Sequence, residues 1–84
     1  MQIETFVKDF EEFLIKEGKM QKTIISYTGD VKMFLEFLNS KGVTFDGNLT
    51  RFYITAYKEH LIKENYTIST INKKINSLHS FNQY

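Results

Sequence analysis

The run Ser69-Thr70-Ile71-Asn72-Lys73-Lys74-Ile75-Asn76-Ser77-Leu78-His79-Ser80 combines hydroxyls, amides and two lysines with no acidic residue. An Asn amide can pair with an adenine edge, and a Ser or Thr hydroxyl can bond a phosphate or a base edge. A lysine supplies charge to phosphate oxygens. A second stretch, Lys19-Met20-Gln21-Lys22-Thr23, gathers two lysines and a hydroxyl, and Ser26 follows one helical turn after Lys22. If that stretch opens a helix, its first backbone N–H groups favour anions as well. The competing reading is that both stretches are ordinary solvated helix faces, with Ser69 and Thr70 acting only as caps.

Other chemistry finds little support. The chain has no Cys, which excludes a disulfide framework and thiolate ligands or nucleophiles. His60 and His79 lack metal-ligand spacing, so neither a metal nor a cofactor is expected. No Gly-rich phosphate loop, Ser/His/Asp set or paired-carboxylate pocket stands out, and Glu11 and Glu12 read as solvated surface.

The elements that must carry these residues are helices. Phe6, Val7, Phe10, Phe13 and Leu14 form a helical stripe over about residues 3–17, and Gly18 is a natural C-terminal stop. Ile24, Tyr27, Val31, Phe34, Leu35 and Leu38 predict a second helix over about 21–40, closed by Gly42. Gly29 interrupts that helix, either as a tolerated surface residue or as a place of close approach. Residues 42–48 form a loop with a Gly47-Asn48 turn signal. Thr50 is the expected N-cap of a third helix bearing Ile54, Tyr57 and Leu61, with Phe52 and Ile62 as further candidates, ending near Glu64 with Asn65 as terminator. Ser69 is the expected N-cap of a fourth, whose inner line is Ile71, Ile75, Leu78 and Asn82 with Phe81 on the flank. Thr70, Asn72, Lys73, Asn76, Ser77 and Ser80 then face outward or lie on the flanks. A strand over 66–71 is rejected, since no second strand exists to pair with it. The fold class is therefore all-α, a compact four-helix domain.

Eighty-four residues make one domain, spanning 1–84. The absence of Pro lets helices run unbroken, and eight Phe and five Tyr without Trp point to a core of aromatic anchors. Phe6, Phe10, Phe13, Tyr27, Phe34 and Tyr57 recur at inner-face spacing and read as core, not as base-stacking platforms. Phe37, Phe45 and Phe52 are open to packing under the loop or docking a neighbouring domain. No apolar stretch approaches the ~20 residues that span a bilayer, and the N-terminus lacks a signal core, so a soluble, unexported protein is expected. The net charge is only +1, but it is sorted. Residues 1–18 hold two lysines against five acids, 19–42 four lysines against two acids, 43–66 three of each sign, and 67–84 two lysines and no acid. Local sign therefore matters more than the total.

The order of residues adds a resemblance. Lys22-Thr23-Ile24-Ile25-Ser26-Tyr27-Thr28-Gly29-Asp30-Val31-Lys32-Met33-Phe34-Leu35 is similar to the "T-hydrophobic-x-x-Y-x-x-D-hydrophobic-x-x-F" line of the tyrosine-recombinase (phage integrase) N-terminal domain. Ser69 to Phe81 resembles that family's "S-x-T-I-N-x-x-I-x-x-L-R-x-F" line. Phe10, Phe13 and Leu14 before Gly18 resemble its opening "F-x-x-F-L", and Leu49-Thr50 with Tyr57 and Leu61 its third helix. His79 departs from the pattern, standing where the family often has Arg and removing a fixed charge.

The resemblance implies a four-helix core-binding, or SAM-like, domain of a cytoplasmic protein for site-specific DNA recombination and integration. It implies that the domain is part of a longer recombinase and clamps double-stranded DNA together with a C-terminal catalytic domain, alongside other recombinase protomers on DNA. It places the second and fourth helices against the duplex, which makes Lys19, Lys22, Thr23, Ser26, Thr70, Asn72, Lys73, Asn76 and Ser77 the expected DNA-binding residues. The domain itself is expected to be non-catalytic and, in isolation, monomeric. The family's tyrosine nucleophile works amid several Arg, Lys and His groups, whereas this chain has Arg51 alone and no His-x-x-Arg motif. The alternative function is a helical protein-interaction module, in which an acidic first helix and basic second and fourth helices serve docking.

Overall fold

A computed structural model describes residues 3–45 and 50–82. The Gly47-Asn48 turn and Leu49 lie outside the described residues. Four helices follow in order: α1 (Ile3–Lys16), α2 (Gln21–Ser40), α3 (Arg51–Lys63) and α4 (Ile68–Asn82). The described residues contain no strand, and the segment that could have been read as one enters α4 at Ile68. Helix α2 packs most extensively, against α1 and α4; α3 lies against α4 and touches α2 less.

Three of the helices end in the same local device. Gly18 adopts φ 74°, its N–H bonds Ile15 O, and the N–H of Lys19 reaches back to Leu14 O at 3.1 Å. Gly42 (φ 77°) repeats the pattern, with Val43 N–H on Leu38 O at 3.0 Å. Asn65 repeats it again at φ 65°, with Tyr66 N–H on Leu61 O at 3.2 Å. Each left-handed residue lets two backbone N–H groups satisfy the last open carbonyls of the helix. Asn serves at the third site because its short polar side chain tolerates that backbone region.

Helix starts are less uniform. Thr50 caps α3 as expected, its hydroxyl accepting from Tyr53 N–H at 3.3 Å. The start of α4 differs from the expectation of Ser69. Thr67 takes the cap position, its hydroxyl accepting from Thr70 N–H at 3.3 Å while its carbonyl accepts from Ile71 N–H at 2.9 Å. A cap two residues earlier adds half a turn to the helix, and Ser69 lies inside it.

The core is drawn from every element. Phe10 and Leu14 of α1, Ile24, Val31, Phe34, Leu35 and Leu38 of α2, Tyr57 and Leu61 of α3, and Ile71, Leu78 and Phe81 of α4 are buried. Rings meet edge to face: Phe10 with Phe81 at 5.2 Å, and Phe34 with Tyr57 at 5.2 Å. Such pairs add to the area they bury. The three open aromatics resolve differently. Phe37 is buried beside Tyr57, and Phe45 is buried against Phe6 and Phe81, which pins the segment after α2 to the core. Phe52 stays 75% exposed, and Ile62 is exposed as well.

Helix α4 is turned relative to the expected inner line. Phe81, expected on the flank, is buried, whereas Asn82 is exposed and Ile75 only half-buried. The buried arc is centred near Lys74, Leu78 and Phe81, a rotation of roughly 60° at 100° per residue. The Phe81 ring brings far more apolar area to the core than Asn82, so it sets the rotation.

Two side chains offer tests of this packing. The Tyr57 hydroxyl is buried without a hydrogen-bond partner among the described residues. Burial, then the negative charge of Asp30 and then Tyr66 push its ionisation well above the ordinary tyrosine value, so the ring stays neutral. An unpartnered buried hydroxyl contributes desolvation cost and no bond. Tyr57→Phe should therefore leave stability unchanged or raise it by up to about 1 kcal/mol in urea denaturation; a loss above that would show the hydroxyl to be bonded. Gly29 is exposed in the middle of α2, and a Cβ there would meet nothing within 4 Å. Gly29→Ala should stabilise the domain by about 1 kcal/mol, read as a higher thermal midpoint, and an unchanged or lower midpoint would contradict the open space around it.

Candidate nucleic-acid interface

A carboxylate is buried between α2 and α4. Asp30 is 6% exposed and lies on the apolar side of α2, one turn from Phe34 and beside Val31. An ionised carboxylate in such a place requires opposite charge and hydrogen bonds. Helix α4 supplies both. Lys74 Nζ lies 3.2 Å from Asp30 Oδ1, Lys73 Nζ lies 3.2 Å from Oδ2, and Ser77 Oγ donates to Oδ2 at 2.6 Å. Ser77 also approaches the carbonyl of Lys73 at 3.3 Å.

The two adjacent lysines are not equivalent. The Lys74 side chain is 14% exposed; it also contacts Met33 Sδ at 3.5 Å and stands 5.6 Å from the centre of the Tyr66 ring. Held on three sides, it forms a neutral pair with Asp30. The Lys73 side chain is 57% exposed, and its ammonium donates to Ser26 Oγ at 2.6 Å. One carboxylate facing two ammonium groups leaves one positive charge in surplus, and that charge is the exposed one. The seam thus displays a cation at the surface, tethered to both helices.

The expected interface residues do not share one environment. Ser26 and Lys73 are brought together directly. Lys22 is exposed one turn before Ser26 on α2, and Asn72 and Asn76 are exposed on α4 beside Lys73. Lys19 and Thr23 lie at the entry of α2, where Met20 makes no side-chain cap bond. Thr70 is half-buried, and its backbone N–H and hydroxyl are both engaged with Thr67. Ser77 requires correction. It was expected on the outward face but is 0% exposed and bonded to Asp30, because the rotation set by Phe81 rolls it into the seam.

Two groups of this region are not singled out by the sequence reading. Asp30 and Lys74 are the first: a charge on the apolar arc of one helix and an opposite charge on the apolar arc of another signal a buried pair. The second lines a concavity of about 420 Å³ between α3 and α4, where Arg51, Lys58 and His79 gather with Thr55 and Asn82 and no acid. Arg51, Thr55 and Lys58 have helical spacing along α3, which was the available signal. A separate groove of about 290 Å³ at the far end of α2 is mostly apolar, lined by Phe37, Val43 and Phe52 with Lys41 and Lys63. His60, also on this groove, lies 4.7 Å from the Phe37 ring, so it is part of an aromatic cluster. Among the described residues no cluster of three or more acids and histidines could hold a metal, and no helix is long and apolar enough to cross a membrane.

Comparison with known proteins agrees with this architecture. The chain is 26% identical to the tyrosine recombinase XerC of Oceanobacillus iheyensis, over 99% of this chain and 28% of that protein. It is 29% identical to a tyrosine recombinase of Pseudothermotoga lettingae, over 98% of this chain and 29% of that protein. The chain therefore spans less than a third of the length of these relatives. No solved structure shows a significant match. Residues 7–84 match the family described as the phage integrase N-terminal SAM-like domain, and the chain belongs to that family.

Proposed function

We propose that this chain is the DNA-gripping, non-catalytic domain of a cytoplasmic site-specific tyrosine recombinase. It holds duplex DNA at the recombination site while a C-terminal catalytic domain of the same protein closes from the other side. The observation that carries the reading is the surplus ammonium of Lys73, exposed and tethered between α2 and α4 in an acid-free polar face. Lysine and serine together offer a phosphate oxygen one charge-assisted and one neutral hydrogen bond. Asn72 and Asn76, one turn apart on the same exposed side of α4, are placed to meet base edges. The Arg51, Lys58 and His79 concavity extends the positive surface past the far flank of α4.

A second reading, a docking module for protein, is favoured by the apolar groove at the end of α2 and by Phe52 exposed beside it. A stable dimer in size-exclusion chromatography, with no affinity for DNA, would favour that reading over the first.

With few phosphates engaged, the isolated domain should bind duplex DNA weakly, and the binding should weaken steeply with salt. Amide chemical shifts of α2 and α4 should move on addition of a short duplex, and the double change Lys22→Glu with Lys73→Glu should abolish the movement. Shifts that persist unaltered would show that the interface lies elsewhere. The neighbouring lysines should part company in thermal denaturation. Lys73→Gln should change stability by under about 1 kcal/mol, because the side chain is largely solvated. Lys74→Gln should cost about 2 kcal/mol, because it removes the buried cation and leaves Asp30 only the solvent-facing Lys73 for charge. Equal losses for the two would contradict the division of labour.

A further inference from the structure

We propose that Asp30 sets the strength of DNA binding by occupying Lys73 in the free domain, as a resident competitor for the phosphate. This rests on the DNA-binding reading above. The carboxylate of Asp30 receives the set of donors that a bound phosphate would receive: two ammonium groups and a serine hydroxyl, at 3.2, 3.2 and 2.6 Å. Lys73 is the one donor of the three that faces solvent. Two of the three ammonium protons of Lys73 go to Ser26 and Asp30, so a phosphate that draws the ammonium outward competes with a carboxylate that already balances its charge.

The seam is arranged so that losing Lys73 leaves Asp30 intact. Oδ1 keeps Lys74 and Oδ2 keeps Ser77, so the carboxylate still has one cation and a hydrogen bond on each oxygen. Charge in the seam is then one against one. The pair given up is the solvated one, and such pairs are weak. Release of Lys73 therefore lowers affinity by a small factor without loosening the fold. Ser26, which accepts from Lys73 at 2.6 Å, keeps its own proton free to follow the ammonium to a phosphate oxygen.

A double-mutant cycle on a short duplex tests this. Asp30→Asn should bind DNA about three-fold more tightly than the unaltered chain, the factor expected for removing one solvated ion pair. Lys73→Gln should weaken binding, and adding Asp30→Asn to Lys73→Gln should restore little of it. An equal gain in both backgrounds would mean that Asp30 acts only through general repulsion, and would overturn the proposal. Weaker binding by a folded Asp30→Asn would also overturn it, since Asp30 would then be positioning Lys73 for DNA. If Asp30→Asn does not fold, side-chain ammonium NMR of the unaltered chain decides. The Lys73 signal should move on titration with duplex while that of Lys74 stays. A stationary Lys73 signal, with backbone amides shifting, would refute the competition but not the DNA reading. Absence of duplex binding by every variant at low salt would overturn that reading, and this proposal with it.

Discussion

A carboxylate removed from water between two helices must be neutralised where it lies, and the organisation of this domain follows from how that is done. Asp30 is anchored by Lys74 and Ser77, both of which reach it only because α4 is rotated to bury Phe81. The aromatic contact and the ionic contact therefore specify the same orientation of α4. Either alone would permit a neighbouring rotation; together they exclude it, since a shift by one residue would withdraw a cation from a buried anion. Apolar burial supplies the stability, and the pair selects the register.

The same arrangement divides the polar chemistry of α4 into inward and outward parts. Ser77 and Lys74 are used up in the seam, and Lys73, Asn72 and Asn76 remain on the surface. The exposed face is small, acid-free and positive by one surplus charge, in a molecule whose total charge is close to nil. Such a face offers only local, modest charge, which fits the half-clamp proposed above. The concavity beside His79 adds the positive charges of Arg51 and Lys58 on the other side of α4.

Much of the architecture was legible in the residues. Helical spacing and the terminators Gly18, Gly42 and Asn65 marked the helices, because periodic apolar residues and left-handed stops are local signals. Thr67 was passed over as a cap because Ser69 is equally good chemically, and the choice depends on how the chain enters α4. The rotation of α4 was misjudged because Asn82 and Phe81 lie on adjacent edges of one arc, and counting positions gave them equal weight. That error carried Ser77 to the outside. The pairing of Asp30 with Lys74 depends on that same rotation. Asp30 sits on a legible apolar arc, but the arc that holds Lys74 is apparent only with the true rotation of α4, and the two residues are 44 positions apart. The phosphate-facing role of Ser26, Lys73 and their neighbours remains an expectation built on family and charge, strengthened by the tether between Ser26 and Lys73.

The three left-handed helix ends bear on how quickly the chain finds this structure. Each is closed by hydrogen bonds between residues three to five apart, so each can form before any tertiary contact exists. A chain whose turns are written locally has a low entropic barrier to bringing neighbouring helices together, and helical domains of this kind belong among the fast folders. The seam between α2 and α4 has the opposite character. It joins residues more than 40 positions apart and gains nothing until water leaves, so it can form only once α2 and α4 have come together.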